Sequence, residues 1–310
     1  MNTQINPDDL ISPLFSILDL KAKSLLVTVW GDCVAPHGGT IWLGSLISLV
    51  DSLGLSERVV RTAVFRLQKE GLLSSQQIGR RSFYSLTKSG ENRFAEATHR
   101  IYAEGGVPWN GEWLLLFAIR HELKDKDRRK LEMELGWLGF GDLGSGIYAH
   151  PTMTAQNVEP LLRDLNLAGK ITTLTATRIN QSAFGTPEIL IQKGWNLKDI
   201  EKDYARFIHN FSKLTKLGTQ AAKLDEKKCF IIRSLLVHDY RRVLLRDPML
   251  PAELLPDGWN GNQARSLFQE IYGKVWEGAE EHLMSVLEST SGRLPPASEE
   301  FSARFGGLKR

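Results

Sequence analysis

The chain has 310 residues, 42% of them hydrophobic and 24% charged, with a formal net charge of +3. That length predicts two or three domains, and the ordinary composition excludes a fibrous or disordered chain. No basic-then-apolar leader opens the sequence and no stretch approaches the roughly 20 apolar residues of a membrane span, so a cytoplasmic protein without membrane contact is expected.

The first helix is predicted from about Leu14 to Val34, followed by the loop His37-Gly38-Gly39. A second helix, roughly Trp42 to Leu53, is apolar at Leu43, Leu46, Ile47, Val50 and Leu53, and Gly54 allows a tight turn after it. Ser56 is a good N-cap for a third helix, in which Val60, Ala63, Val64 and Leu67 recur as a buried stripe; Gly71 closes it. Arg58, Arg61, Thr62, Phe65 and Lys69 fall on its opposite side. The segments Leu72–Ile78 and Ser82–Leu86 read as two strands joined at Gly79, which lifts Arg80 and Arg81 to the hairpin tip.

A helix beside a basic hairpin is the arrangement of a winged helix on duplex DNA. Charge supports the reading: from Ser56 to Arg93 there are eight Lys or Arg against three Asp or Glu, an excess of five in a chain whose total is only +3. The candidate DNA contacts are Ser56, Arg58, Arg61, Thr62, Phe65, Lys69, Arg80, Arg81 and Tyr84.

A helix from Ser89 to Tyr102 leads to a boundary at Gly105-Gly106-Val107-Pro108. Next comes an apolar strand, Trp113 to Ile119, and a charged helix, Asp125 to Leu138. Two short strands follow, at Trp137 to Phe140 and at Ile147 to Ala149. A helix from Thr154 to Leu167 and a strand from Ile171 to Thr177 complete the order β-α-β-β-α-β of a small ferredoxin-like sandwich. Helices are then predicted at Leu197–Leu217, Lys228–Arg246 and Gln263–Leu287, broken by Pro248, Pro251 and Pro256. The fold class is therefore α+β: an N-terminal winged helix-turn-helix (1–104), a central ferredoxin-like domain (108–180) and a helical C-terminal domain (190–310).

Nothing in the pattern points to catalysis. There is no GxSxG elbow, no GxGxxG and no GxxxxGK[ST]. The seven histidines form no HxxxH, HxH or Cys/His cluster, so neither a metal nor a cofactor is expected. Cys33 and Cys229 read as buried, reduced thiols.

Two stretches carry a family resemblance. One runs from Ile41-Trp42-Leu43-Gly44-Ser45-Leu46 through Val60-Arg61-Thr62-Ala63 and Phe65-Arg66-Leu67 to Gly79-Arg80-Arg81-Ser82-Phe83-Tyr84-Ser85-Leu86. The other comprises Tyr240-Arg241-Arg242-Val243-Leu244, Asp247-Pro248, Leu250-Pro251 and Glu253-Leu254-Leu255-Pro256, with a weaker echo in Phe305-Gly306-Gly307-Leu308. The chain resembles the PaaX family, transcriptional repressors of phenylacetate catabolism. The resemblance implies a homodimer on palindromic operator DNA, released by phenylacetyl-CoA. It also implies a middle domain similar to a CRISPR adaptation nuclease subunit. That family places an acidic residue at the end of its first strand, where this chain has Arg120-His121, so nuclease activity is not expected.

A CoA thioester requires cations for its phosphates and an apolar wall for its aryl group. His238, Tyr240, Arg241, Arg242 and Arg246 supply donors on one predicted helix, and Trp259 a wall. A structural role competes: Tyr240-Arg241-Arg242 also suits pairing with Asp239, Asp247 or Glu253, and His238 and Trp195 suit the core better than a ligand site. The rival function is a CoA-thioester-processing enzyme carrying a DNA-binding appendage.

Overall fold

The computed structural model describes residues 6–103, 108–118, 123–177, 187–216 and 224–308. These form two compact units, one of Met1–Glu104, Tyr204–Arg242 and Gly261–Arg310, the other of Gly105–Asp203 and Val243–Asn260.

The first unit opens with helix α1 (Pro7–Ile17), capped by Asn6, whose side chain accepts from the Asp8 amide. Helix α2 (Ala22–Val29) follows after a break. The single helix predicted over Leu14–Val34 is therefore two elements. Leu18 and Lys21 take extended backbone, and the carbonyl and carboxylate of Asp19 accept from Arg242 instead of continuing a helix. Beyond α2 the chain widens into a π-turn, Trp30–Val34, and tightens into a 3₁₀ turn, Ala35–His37. Such local widening re-aims side chains within a helix, and here Asp32 lies on it, fully buried.

Strand β1 (Thr40–Trp42) was not foreseen; its three residues pair with the later ribbon. Helix α3 (Leu43–Asp51) buries Leu43, Leu46, Leu49 and Val50, and helix α4 (Glu57–Lys69) buries Val60, Ala63, Val64 and Leu67, the stripe predicted. Gly54 and Gly71 bound the turn and the helix end with φ of 77° and 72°, values that L side chains seldom adopt. Strands β2 (Leu73–Ile78) and β3 (Arg81–Leu86) form the hairpin, and the three-stranded sheet has the order β1-β3-β2. From Ser74 to Ile78 every residue of β2 is exposed, so both faces of that strand meet solvent and the ribbon stands out from the core.

Helix α5 (Lys88–Tyr102) starts at Thr87, whose hydroxyl accepts from the Gly90 amide at 3.0 Å. The unit is completed from the C-terminal half of the chain by most of helices α9 (Leu197–Phe211), α10 (Glu226–Leu244) and α11 (Asn260–Val286). A short hairpin, β8 (Glu288–Ser289) and β9 (Gly292–Arg293), and helix α12 (Glu299–Ser302) end it. Every residue of α10 from Ile231 to Tyr240 is buried, so this helix runs through the middle of the unit and not along a surface.

The second unit holds an antiparallel sheet of order β5-β6-β4-β7, from strands β4 (Trp113–Ala118), β5 (Gly141–Gly144), β6 (Ile147–His150) and β7 (Ile171–Ala176). Helices α6 (Asp125–Trp137) and α7 (Ala155–Asp164) contribute Leu131, Leu135, Val158 and Leu162 to one core with Leu114, Leu116 and Tyr148. The strand predicted at Trp137–Phe140 is the end of α6 and a turn. Leu131 and Leu135 keep the helical period to Trp137, and β5 begins only at Gly141. Helix α8 (Pro187–Gly194), absent from the sequence reading, packs on β5 through Trp195, whose indole donates to the Gly139 carbonyl. Ile119, Arg120 and His121, on which the nuclease comparison turned, lie outside the described residues.

Candidate nucleic-acid interface

Helix α4 separates its residues by burial as the sequence separates them by charge. Ser56, Arg58, Arg61, Thr62, Phe65, Arg66 and Lys69 are exposed, while the apolar stripe faces inward. Phe65 is 55% exposed, high for an aromatic ring with no burial to gain there, and the Lys69 ammonium lies 4.9 Å from its centroid. Arg61 is held only by an exposed i,i+4 pair with Glu57 at 2.7 Å, a contact worth a few tenths of a kcal/mol and readily exchanged for a phosphate or a base. Thr62 donates to the Arg58 carbonyl at 2.9 Å, so its hydroxyl is left as an acceptor. The Gln68 amide donates to Ser75 at 3.0 Å and ties the helix to the ribbon.

One expectation is corrected. The Ser56 hydroxyl makes no capping bond; only its carbonyl enters the helix, accepting from the Val60 amide. The exposed hydroxyl thus stands at the helix N-terminus, where amides and the helix dipole favour anions.

The ribbon places its arginines differently from one another. Arg80 is exposed in the turn, whereas Arg81 opens β3 opposite Ile78. The Arg81 guanidinium lies 4.2 Å from the centroid of the Trp42 ring and forms an ion pair with Glu288. Arg81 is therefore tied down and not free at the tip. Tyr84 sits mid-ribbon, half-buried, between Ile41 and Ser75 in register.

The six candidate effector residues do not gather. His238 is buried, with Nδ1 3.0 Å from the Thr28 hydroxyl, and burial followed by repulsion from Arg241 pushes its pKa down to about 4. Tyr240 stacks on Phe268 at 4.2 Å in the aromatic core. Arg241 donates to the Thr28 hydroxyl and to Ser24, and Arg242 to Asp19. His238, Arg241 and Arg242 fasten α10 to α2 and the turn before it, and Tyr240 packs α10 against α11. Arg246 and Trp259 belong to the second unit, where Arg246 pairs with Asp203 at 2.7 Å and Trp259 is buried. Of the six only Arg246 lines a cleft of about 290 Å³, together with Phe140, Trp195 and Asn196.

Sequence reasoning missed a polar network in the core of the first unit. The Asp32 carboxylate accepts from Arg233 at 2.7 Å, Arg304 at 2.7 Å, Tyr102 at 2.6 Å and Tyr272 at 3.2 Å. Its carbonyl accepts from both arginines as well. Arg233 also pairs with Glu280, which bonds His37, and the other nitrogen of His37 lies 2.7 Å from the Pro295 carbonyl. Burial alone would raise the Asp32 pKa, but Arg233 and Arg304 outweigh it and hold the carboxyl at about 2. A signal was available: Asp32 and Arg233 are lone charges inside apolar runs, which a core tolerates only as partners. Among the described residues no group of three or more His, Cys, Asp or Glu is placed to hold a metal ion, and no helix is long and apolar enough to cross a membrane.

An exposed basic helix with a projecting ribbon, followed by a separate antiparallel sheet unit, marks a chain built to present one charged surface. Three family profiles match in chain order: "PaaX-like protein" over residues 21–90, "PaaX protein central Cas2-like domain" over 106–187 and "PaaX-like protein C-terminal domain" over 195–285. The curated "Transcriptional repressor PaaX" of Escherichia coli (strain K12) is 36% identical over 302 residues, 97% of this chain and 95% of that protein. The chain belongs to the PaaX family, a mixed helix-and-sheet protein with a Cas2-like central domain. Its fold is similar to that of the solved "Uncharacterized protein Rv0674 from Mycobacterium tuberculosis", with 24% identity, a TM-score of 0.53 and coverage of 86% of this chain and 99% of that one.

Proposed function

We propose that this chain is a DNA-binding transcriptional repressor of phenylacetate catabolism genes, not an enzyme. One observation carries the reading: the cations of α4 and the ribbon are exposed on a single, independently packed unit, beside a helix stripe that anchors them. The name and 97% chain coverage of the Escherichia coli relative support it. In finer terms the N-terminal domain is a winged helix-turn-helix, with α4 as recognition helix and β2–β3 as wing. The central domain is ferredoxin-like, since β4, α6, β5, β6, α7 and β7 follow the order of that sandwich. The boundaries proposed are 1–104, 108–180 and 190–310.

Arg58, Arg61, Thr62 and Phe65 reach base edges in the major groove, the aromatic ring suiting a thymine methyl. Ser56, Lys69, Arg80, Arg81 and Tyr84 contact the backbone. The chain acts as a homodimer on palindromic operators and is released by phenylacetyl-CoA, which favours a conformation whose recognition helices no longer match successive grooves about 34 Å apart. Coupling of roughly 1–3 kcal/mol lowers operator affinity five- to over a hundredfold. Arg246, on its cleft with Phe140 and Trp195, is the effector candidate with room beside it.

A gel-shift on the chain's own upstream region, with and without the thioester, tests both parts. Retarded DNA that phenylacetyl-CoA releases and free phenylacetate does not is the expected result. No retardation removes the repressor reading, and retardation unmoved by saturating thioester removes the effector.

A further inference from the structure

We infer that Glu288, in the C-terminal hairpin, is a specificity-determining residue of the DNA interface: it holds wing Arg81 in an ion pair, so that random duplex does not gain that charge. The inference rests on the DNA-binding reading above and assigns it a residue more than two hundred positions away in sequence.

The contact is built from four parts of the chain. The Glu288 amide donates to the Ser45 hydroxyl at 3.1 Å, and Ser45, almost fully buried on α3, donates in turn to the Trp42 carbonyl at 2.9 Å. The backbone of β8 is thereby fixed against the helix-turn-helix. The Trp42 ring lies so close over Gly44 that an added Cβ would come within 2.4 Å of it. Arg81 stacks on this seated indole while Glu288 takes its guanidinium. A lone arginine at a turn needs no such seat. Both side chains stay about half exposed, 49% for Arg81 and 39% for Glu288, so DNA phosphates can compete for the guanidinium.

The consequence is electrostatic. While the pair is closed, a phosphate approaching Arg81 meets a compensated cation and a carboxylate of its own sign. On random sequence nothing holds the wing close to the duplex, so the pair stays shut and one counterion fewer is released. On the operator, base contacts from α4 hold the wing in place and the pair opens, at a modest cost for two half-exposed groups. Glu288 thus weakens non-specific binding more than specific binding and widens the ratio between them.

The test is a salt titration of wild type, Glu288→Gln, Arg81→Met and the double variant, on a duplex of the upstream region and on a scrambled duplex. Glutamine keeps the side-chain volume and the backbone bond to Ser45. Glu288→Gln is expected to bind scrambled duplex roughly three- to tenfold more tightly, with a log–log salt slope steeper by about 0.9, as for one added phosphate contact. The upstream duplex gains less, and Arg81→Met abolishes both effects of the glutamine. An unchanged slope and affinity on scrambled DNA, or an equal gain in the Arg81→Met background, overturns the inference while leaving the DNA-binding reading in place. A wild-type protein that binds neither duplex overturns both.

Discussion

Arg61 and Arg80 carry the same charge, but the proposed interface gives them different purposes. Arg61 lies in the middle of the exposed face of α4, so Arg61→Ala is expected to cost roughly 1–3 kcal/mol on the operator and to relax its sequence preference. Arg80 lies in the exposed turn of the ribbon, so Arg80→Ala should weaken all duplexes alike and flatten the salt dependence by about one counterion. Competition gel-shifts with specific and random DNA separate the two; identical profiles for both variants would show the roles wrongly divided. Two histidines make a different prediction. Burial pushes His150 and His238 down to about 4 from 6.5, so the fold keeps them neutral while the unfolded chain protonates. Between pH 6.5 and about 4 the unfolded state binds more protons, and stability therefore falls as pH is lowered, by on the order of 3 kcal/mol per histidine. Urea unfolding at pH 7 and pH 5 captures about 2 kcal/mol of this per histidine, and His150→Gln should shrink the difference by about that much; a loss no smaller in that variant would acquit His150.

At the scale of elements, α10 and the π-turn are joined by charge inside the core. Arg233 and Arg304 compensate Asp32 and Glu280, and each is more than nine-tenths buried or close to it in the case of Glu280. A buried pair of this kind adds little over an apolar core but costs about 3–5 kcal/mol when one partner is removed. Arg304→Met is expected to lose that much in denaturant unfolding; a loss under 1 kcal/mol would mean that Arg233 alone satisfies Asp32. Because the Asp32 pKa is depressed to about 2 from 3.8, its contribution is complete above pH 3.8 and disappears as pH falls toward 2. The network bonds Asp32 and Tyr102 of the N-terminal segment to Arg233, Tyr272 and Arg304 of the C-terminal one, which makes the N-terminal elements and the C-terminal helices of the first unit one packed body.

For the whole molecule, operator geometry and effector response are the properties to measure. Light scattering is expected to give twice the 34.9 kDa chain mass, and a monomer at operator-binding concentrations would contradict recognition of a palindrome by two copies. Arg246→Ala is expected to raise the thioester concentration needed for release while leaving operator affinity untouched; an unaltered release curve would place the effector away from that cleft. Four of the six residues proposed for the effector, His238, Tyr240, Arg241 and Arg242, bond or stack within the first unit. Their spacing on one helix was legible, but their inward direction was not, because a helix buried on all sides has no periodicity to reveal which face meets a ligand.

The α4 stripe, its basic face, the ribbon and the β-α-β-β-α-β order were all readable from residue order. Each is set within its own element or turn, where periods of 3.6 and 2 and the turn glycines decide the outcome. The arginine partners of Asp32 are 201 and 272 residues away, and the carboxylate partner of Arg81 is 207 away. Nothing local marks such pairs beyond a charge in an unexpected place. Which arginine is free for DNA, which is closed in the core and which is held by a carboxylate depends on the burial and distance that packing alone creates.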